Sequence, residues 1–194
     1  MYFVYCNYPI ICYTYTCQEE NKTERRKDMA RTSYEERGEK FARYLMRTVF
    51  KGCKTLRQYR DAVNNYNATH VNQLIYKNGV SRFVIIRADY VIKIEYGKGK
   101  EWAGGNLSER EVYDRAIEDG MEHLLAKPTL VKIGRRTLSV MPRVNHIRDA
   151  KKCWWEHCTP AECHWLGHNV TDMHSGNVGY KRNKVYVVDY AFPV

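Results

Sequence analysis

Hydrophobic positions repeat with a helical period near the front of the chain and with a strand period in its middle. Phe41, Leu45 and Val49 share one face of a helix to about Phe50, opened by Ser33 and Glu36 at capping-box spacing and closed by Gly52. Leu56, Tyr59, Ala62, Val63 and Tyr66 mark a second helix beginning at Thr55. From there the period drops to two. Residues 71–76, 83–87 and 90–95 read as strands, and Asn78-Gly79 is a tight-turn signal between the first two. Gly97, Gly99, Gly104 and Gly105 interrupt the chain before a helix from 106 or 107 to about 125. Residues 128–133 and 137–141 form another hairpin around Gly134-Arg135. A helical stretch over 147–167 and a terminal loop and hairpin complete the pattern.

The opening residues, 1–17, are aromatic, contain Pro9 and lack a basic leader; they read as a β-rich or docking segment, too short and polar to span a bilayer. Residues 18–32 are highly charged and read as a linker or a solvated helix start. These features divide the chain into an N-terminal extension, 1–70, and a domain over 71–194.

Composition changes this picture little. Hydrophobic residues at 44% and charged residues at 28% suit a soluble globular protein with one real core. The net charge of +10 suits an acidic partner, but the basic residues form no single stripe, so nucleic acid is the less favoured partner. Seven scattered cysteines fit a reducing cytoplasm. Cys153, His157, Cys158, Cys163, His164 and His168 crowd together, yet no Cys-x-x-Cys occurs and Thr159-Pro160 signals a helix start. Buried thiols and capping histidines are the favoured reading there, with structural zinc the alternative.

The chemistry concentrates in Asp172-Met-His-Ser-Gly-Asn177 and in Asp189, which ends a β-branched run. A kinase-type phosphotransferase needs an aspartate to orient a hydroxyl nucleophile, and an asparagine and a second aspartate to hold magnesium against ATP phosphates. Asp172, Asn177 and Asp189 match those needs in that order. His174 could steady the transferring phosphoryl group or bond the loop backbone. Gly176 and Gly179 are expected to permit the turns that aim Asn177 inward. Upstream, Lys93 lies in a β-branched strand that could project it toward phosphates. Glu109 and Glu111 both follow at a suitable distance, and Glu109, on the face of Tyr113, is the favoured partner. Gly79 and Ser81 sit in the hairpin before the lysine strand, where backbone amides and a hydroxyl could cap a phosphate. The β-β-β-α-β-β order is that of a kinase small lobe.

These residues resemble the early protein kinase family of T7-type bacteriophages, a divergent branch of the protein-kinase-like superfamily. The resemblance rests on Asp172–Asn177, Val91-Ile-Lys93 and the strand ending in Asp189, and spans roughly residues 71–192. It implies an α+β protein-kinase-like fold with a five-stranded antiparallel small lobe, an abbreviated helical large lobe and an N-terminal helical extension. It also implies ATP- and Mg2+-dependent phosphorylation of serine or threonine in host proteins, in the host bacterial cytoplasm. Lys93 would anchor phosphates, Asp172 act as the base, and Asn177 and Asp189 bind metal; Met141 joins Lys93, Glu109, Gly79 and Ser81 as a nucleotide contact. The Asp-x-His-x-x-Asn form is also similar to aminoglycoside- and choline-kinase-type enzymes, which implies a small-molecule acceptor. Tyr190-Ala191 follows Asp189 in place of Phe-Gly, and the chain stops at Val194, leaving no room for an activation loop. That departure supports a competing expectation, a pseudokinase that binds nucleotide and docks on a host complex.

Overall fold

Alternate residues of a strand point to opposite faces of its sheet, and here the two faces bury different helices. The structure, a computed structural model, describes residues 32–79, 81–96, 104–146, 154–170, 173, 175–181 and 184–190. Residues 1–33 and 34–194 form two units, and every regular element described belongs to the second. The aromatic opening and nearly all of the charged linker lie outside the described residues.

The chain is mixed α+β. Helix α1 (Tyr34–Tyr44) runs into a π-helical turn (Leu45–Val49), and α2 (Leu56–Thr69) follows. Strands β1 (Ile75–Asn78), β2 (Arg82–Ile86) and β3 (Tyr90–Glu95) precede α3 (Gly105–Glu118). Next come β4 (Thr129–Ile133) and β5 (Arg136–Pro142), which complete a five-stranded antiparallel sheet of order β1-β2-β3-β5-β4. A short β6 (Asn145–His146), α4 (Pro160–Asn169), β7 (Val178–Lys181) and β8 (Lys184–Val187) follow, and β6-β7-β8 form a second sheet.

One face of the large sheet carries Phe83, Ile85, Ile92, Ile94, Leu138 and Val140, which share a core with Ala42, Leu45, Phe50, Tyr59 and Val63. Burying each of the larger side chains there stabilises the fold by about 2 kcal/mol. Phe50 meets Tyr59 edge-on at 5.1 Å between centroids, and Tyr59 stacks on Phe83 at 5.4 Å. The two helices within 34–69 are therefore packed into the sheet's own core. Gly38 sets how closely α1 approaches: a Cβ there would lie 2.3 Å from Val140 Cγ1. The opposite face, with Val91 and Met141, meets α3, the 122–126 segment, α4 and β8 through Val112, Ala116, Leu125, Leu166 and Val187.

Several expected boundaries move for local reasons. The first strand begins at Ile75, not 71, because the Asn67 side chain both accepts from Leu74 N (2.7 Å) and donates to Leu74 O (3.0 Å), while Val71 is exposed. The helix expected to reach 125 ends at Glu118: Gly120 takes φ +70°, and a 3-10 turn (Glu122–Leu124) follows. Ala126 N then donates to Val187 O at 2.9 Å, which ties this linker to β8. Of the helical stretch expected over 147–167, residues 147–153 lie outside the described residues; the rest is a 3-10 turn (Trp154–His157) and α4, which starts at the expected Thr159-Pro160 signal with a Thr159–Glu162 capping box. The short strand β6 was not expected from sequence. Among the described residues, no helix is long and apolar enough to cross a membrane.

Candidate active site

Lys93 occupies the middle of β3, opposite Val84 of β2 and Ser139 of β5. Its strand position aims it at α3, so the ammonium is buried beneath the helix. There Lys93 Nζ donates to Glu109 Oε1 and to Val188 O, each at 2.5 Å. Burial pushes the ammonium below the usual lysine range, although Glu109 opposes that shift. Glu109 lies in α3 and is fully buried, whereas Glu111 is exposed on the same helix.

A second set of bonds fixes the strand against the helix. Glu95, two residues beyond Lys93 on the same face, accepts from Asn106 N at 2.6 Å and Gly104 N at 3.2 Å. A carboxylate satisfying the free amides of a helix N-terminus is stabilising. The buried Asn106 amide donates to Lys93 O at 3.2 Å and Thr137 O at 3.0 Å, which ties α3 to β3 and β5. Thus α3 cannot slide along β3 without breaking both contacts.

Asp189 reaches the same place from the other end of the chain. The β7–β8 hairpin pairs Val178 with Val187, and Val188 N donates to Asn177 O at 2.8 Å. Asn177, in a 3-10 turn (Ser175–Asn177), is buried, and Asp189 follows Val188 directly. Burial would raise the Asp189 carboxyl, but Lys93 and Arg82 outweigh it and hold the group below its ordinary value. Its side chain is nevertheless 45% exposed, so solvent reaches one side of it.

Arg82 is the functional candidate that sequence reading did not single out. Its guanidinium pairs with Asp189 and stands 2.8 Å from Glu109 Oε1, with the side chain only 8% exposed. The Glu109 approach is an ion pair without an aligned hydrogen bond, since Arg82 NH1 has no hydrogen-bond acceptor among the described residues. Burial disfavours the guanidinium's charge, yet Glu109 and Asp189 raise its pKa above the ordinary arginine value. The signal was present in the strand Arg82-Phe-Val-Ile-Ile86: alternation puts Arg82 on the face of Lys93, and a buried cation requires carboxylates.

The other expected residues fall as follows. Gly79 N donates to Arg82 O at 2.9 Å, and Tyr96 holds the hairpin by donating its hydroxyl to Gly79 O and its amide to Ser81 O. Met141 is buried opposite Val91, on the Lys93 face. Asp172 and His174 lie outside the described residues, while Met173 between them packs on the second core. Gly179 does not serve a turn: it sits inside β7, where a Cβ would lie 2.4 Å from Val144 Cγ2 and 2.7 Å from Asn145 O. In the cysteine- and histidine-rich stretch, Cys153 lies outside the described residues; His157 bonds Tyr180 Oη at 2.6 Å and His168 bonds His164 O at 2.9 Å. Among the described residues no three metal-ligating side chains gather.

As chemistry, the cluster offers two kinds of donor. The Asp189 carboxylate and the Asn177 amide are oxygen ligands of the type a hard divalent cation takes. Lys93 and Arg82 are donors of the type a polyphosphate takes. The first set could hold a divalent cation and the second an anion, and Asp189 already pairs with Arg82.

No protein-family model matches the chain, and no curated protein matches it. Among solved structures it is similar to the Legionella pneumophila Lpg2603 kinase bound to IP6, at a TM-score of 0.40 and 14% identity, over 60% of this chain and 48% of that one. The chain thus spans about half the length of that kinase.

Proposed function

We propose that the protein is an ATP- and Mg2+-dependent phosphotransferase whose acceptor is a protein serine or threonine hydroxyl. The observation that carries the reading is the convergence of Lys93, Glu109 and Asp189, from β3, α3 and the end of β8, around one partly open cluster. Bound ATP supplies the phosphoryl group, and its cation offsets the phosphate charge. Glu109 and Val188 O hold Lys93 Nζ in one direction, so the lysine meets phosphates without reorganising. Asn177 and Asp189 are the metal ligands. Asp172 accepts the acceptor hydroxyl's proton as its oxygen bonds to the γ-phosphorus and the bond to the β-phosphate oxygen breaks. His174 steadies the transferring group. Gly79, Ser81 and Met141 border the nucleotide. Host proteins as acceptors, and infection as the setting, follow from the phage-kinase resemblance; the charge of +10 favours acidic partners.

A second reading, nucleotide binding without turnover, draws on one observation: Arg82 already pairs with the metal-ligating Asp189. Incubation of the pure protein with γ-labelled ATP and Mg2+, alone and with bacterial lysate, separates the two. Phosphotransfer predicts labelled protein that disappears in Asp172→Ala and Asp189→Ala. Nucleotide binding with no transfer in any arm supports the second reading, and full transfer by either variant refutes the mechanism.

A further inference from the structure

We propose that Arg82 is a polyphosphate ligand with two stations, the Glu109–Asp189 carboxylate pair seen here and the phosphate tail of a nucleotide, and that it gives up Asp189 to a divalent cation as it moves. The inference rests on reading Lys93, Asn177 and Asp189 as a nucleotide site. It adds a residue that no part of that reading requires.

Four charged groups make up the cluster: Lys93 and Arg82 against Glu109 and Asp189. The set is neutral as it stands. A divalent cation on Asp189 leaves a positive excess that a polyanion offsets, and Arg82 then keeps only its share of Glu109. Exposure gives the exchange a direction. The Asp189 side chain is 45% exposed while Arg82 and Glu109 are 8% and 0% exposed, so a cation approaches Asp189 from solvent with the guanidinium behind it.

The guanidinium is also incompletely satisfied where it is. NH1 is buried with no aligned hydrogen-bond acceptor among the described residues, and Glu109 Oε1 already accepts from Lys93 at 2.5 Å. A shared and misaligned acceptor is a weaker partner than a phosphate, whose oxygens match the guanidinium fork two at a time. The backbone around Arg82 is tied down, because Tyr96 holds both Gly79 O and Ser81 O. The side chain is therefore the part that moves. Arg82 lies directly after the hairpin proposed to border the phosphates, so its second station is local. Since one arginine serves both events, cation and polyphosphate each ease the binding of the other, and the coupling is reciprocal.

Direct binding measurements test this without catalysis: Mn2+ alone by electron paramagnetic resonance, ATP in chelator by calorimetry, and ATP with Mg2+. Wild type should bind ATP with Mg2+ far more tightly than either component alone. Arg82→Gln should bind Mn2+ alone about tenfold more tightly, because Asp189 is released, and bind ATP with Mg2+ about tenfold more weakly. Arg82→Lys, which keeps the charge but not the fork, should fall between. Asp189→Asn should bind metal-free ATP more tightly than wild type, because Arg82 is freed toward phosphate. Coupling unchanged in Arg82→Gln, or metal-free ATP binding weakened in Asp189→Asn, overturns the proposal while leaving the nucleotide site standing. Should Arg82→Gln fail to fold by near-ultraviolet dichroism, Arg82→Lys and Asp189→Asn decide the matter. A wild type that binds ATP in no arm refutes the site itself, and the inference with it.

Discussion

Lys93 and Glu109 meet at 2.5 Å with both side chains nearly removed from solvent, and Arg82 approaches the same carboxylate oxygen at 2.8 Å. One carboxylate therefore serves two buried cations. Removing a partner from a buried pair leaves a charge uncompensated and costs about 3–5 kcal/mol.

The arrangement predicts unequal losses. Glu109→Leu removes the shared carboxylate from both Lys93 and Arg82, leaving them only Val188 O and Asp189, and should destabilise by the full amount, about 3–5 kcal/mol. Lys93→Met leaves Glu109 paired with Arg82 and should cost clearly less. Urea midpoints of the two variants measure the difference. Equal losses would show that Arg82 does not share Glu109.

Gly38 should tolerate no side chain. The Cβ of Ala would stand 2.3 Å from Val140 Cγ1, and Val140 is a β-branched residue in a filled core. Despite the better helix propensity of Ala, Gly38→Ala should destabilise by about 1–3 kcal/mol, as overpacking does. Thermal unfolding reads the effect, and a stabilised variant would place α1 farther from β5.

Alkaline pH should weaken the fold through buried tyrosines. Tyr190 donates to Ala126 O at 2.6 Å, and burial first, then Glu109, raises its pKa well above the ordinary value. Above about pH 10 the unfolded chain releases this proton while the folded chain keeps it, so stability falls with rising pH. Tyr59, Tyr90 and Tyr113 shift the same way, each chiefly by burial. Tyr190→Phe should lower the stability at neutral pH by about 1 kcal/mol, for the lost hydrogen bond, yet flatten the decline between about pH 10 and pH 11. An unchanged slope would contradict the burial of that phenol.

Much of the sheet was legible because alternation and an Asn-Gly turn are local signals. Spacing alone leaves both Glu109 and Glu111 as partners for Lys93; the helix face shared with Tyr113 favours Glu109, which α3 carries in its second turn. Arg82 was missed because its partners lie 27 and 107 residues away, and nothing local in Arg82-Phe-Val names them. The end of α3 was misplaced for a similar reason. Met121, Leu124 and Leu125 continue an apolar pattern, but Gly120 turns the chain so that 125–126 can join β8. The sequence suggests a turn for Gly179, whereas the demand on it comes from Val144 and from Asn145, which opens a strand too short to predict.

The claim that this cluster is a nucleotide-phosphate site is tested most directly by titrating ATP with Mg2+ into wild type, Lys93→Met and Glu111→Gln by calorimetry. The account predicts one-site binding by wild type, equal binding by Glu111→Gln, and loss of about tenfold or more in a folded Lys93→Met. Binding by Lys93→Met equal to wild type, or none by folded wild type, would contradict it.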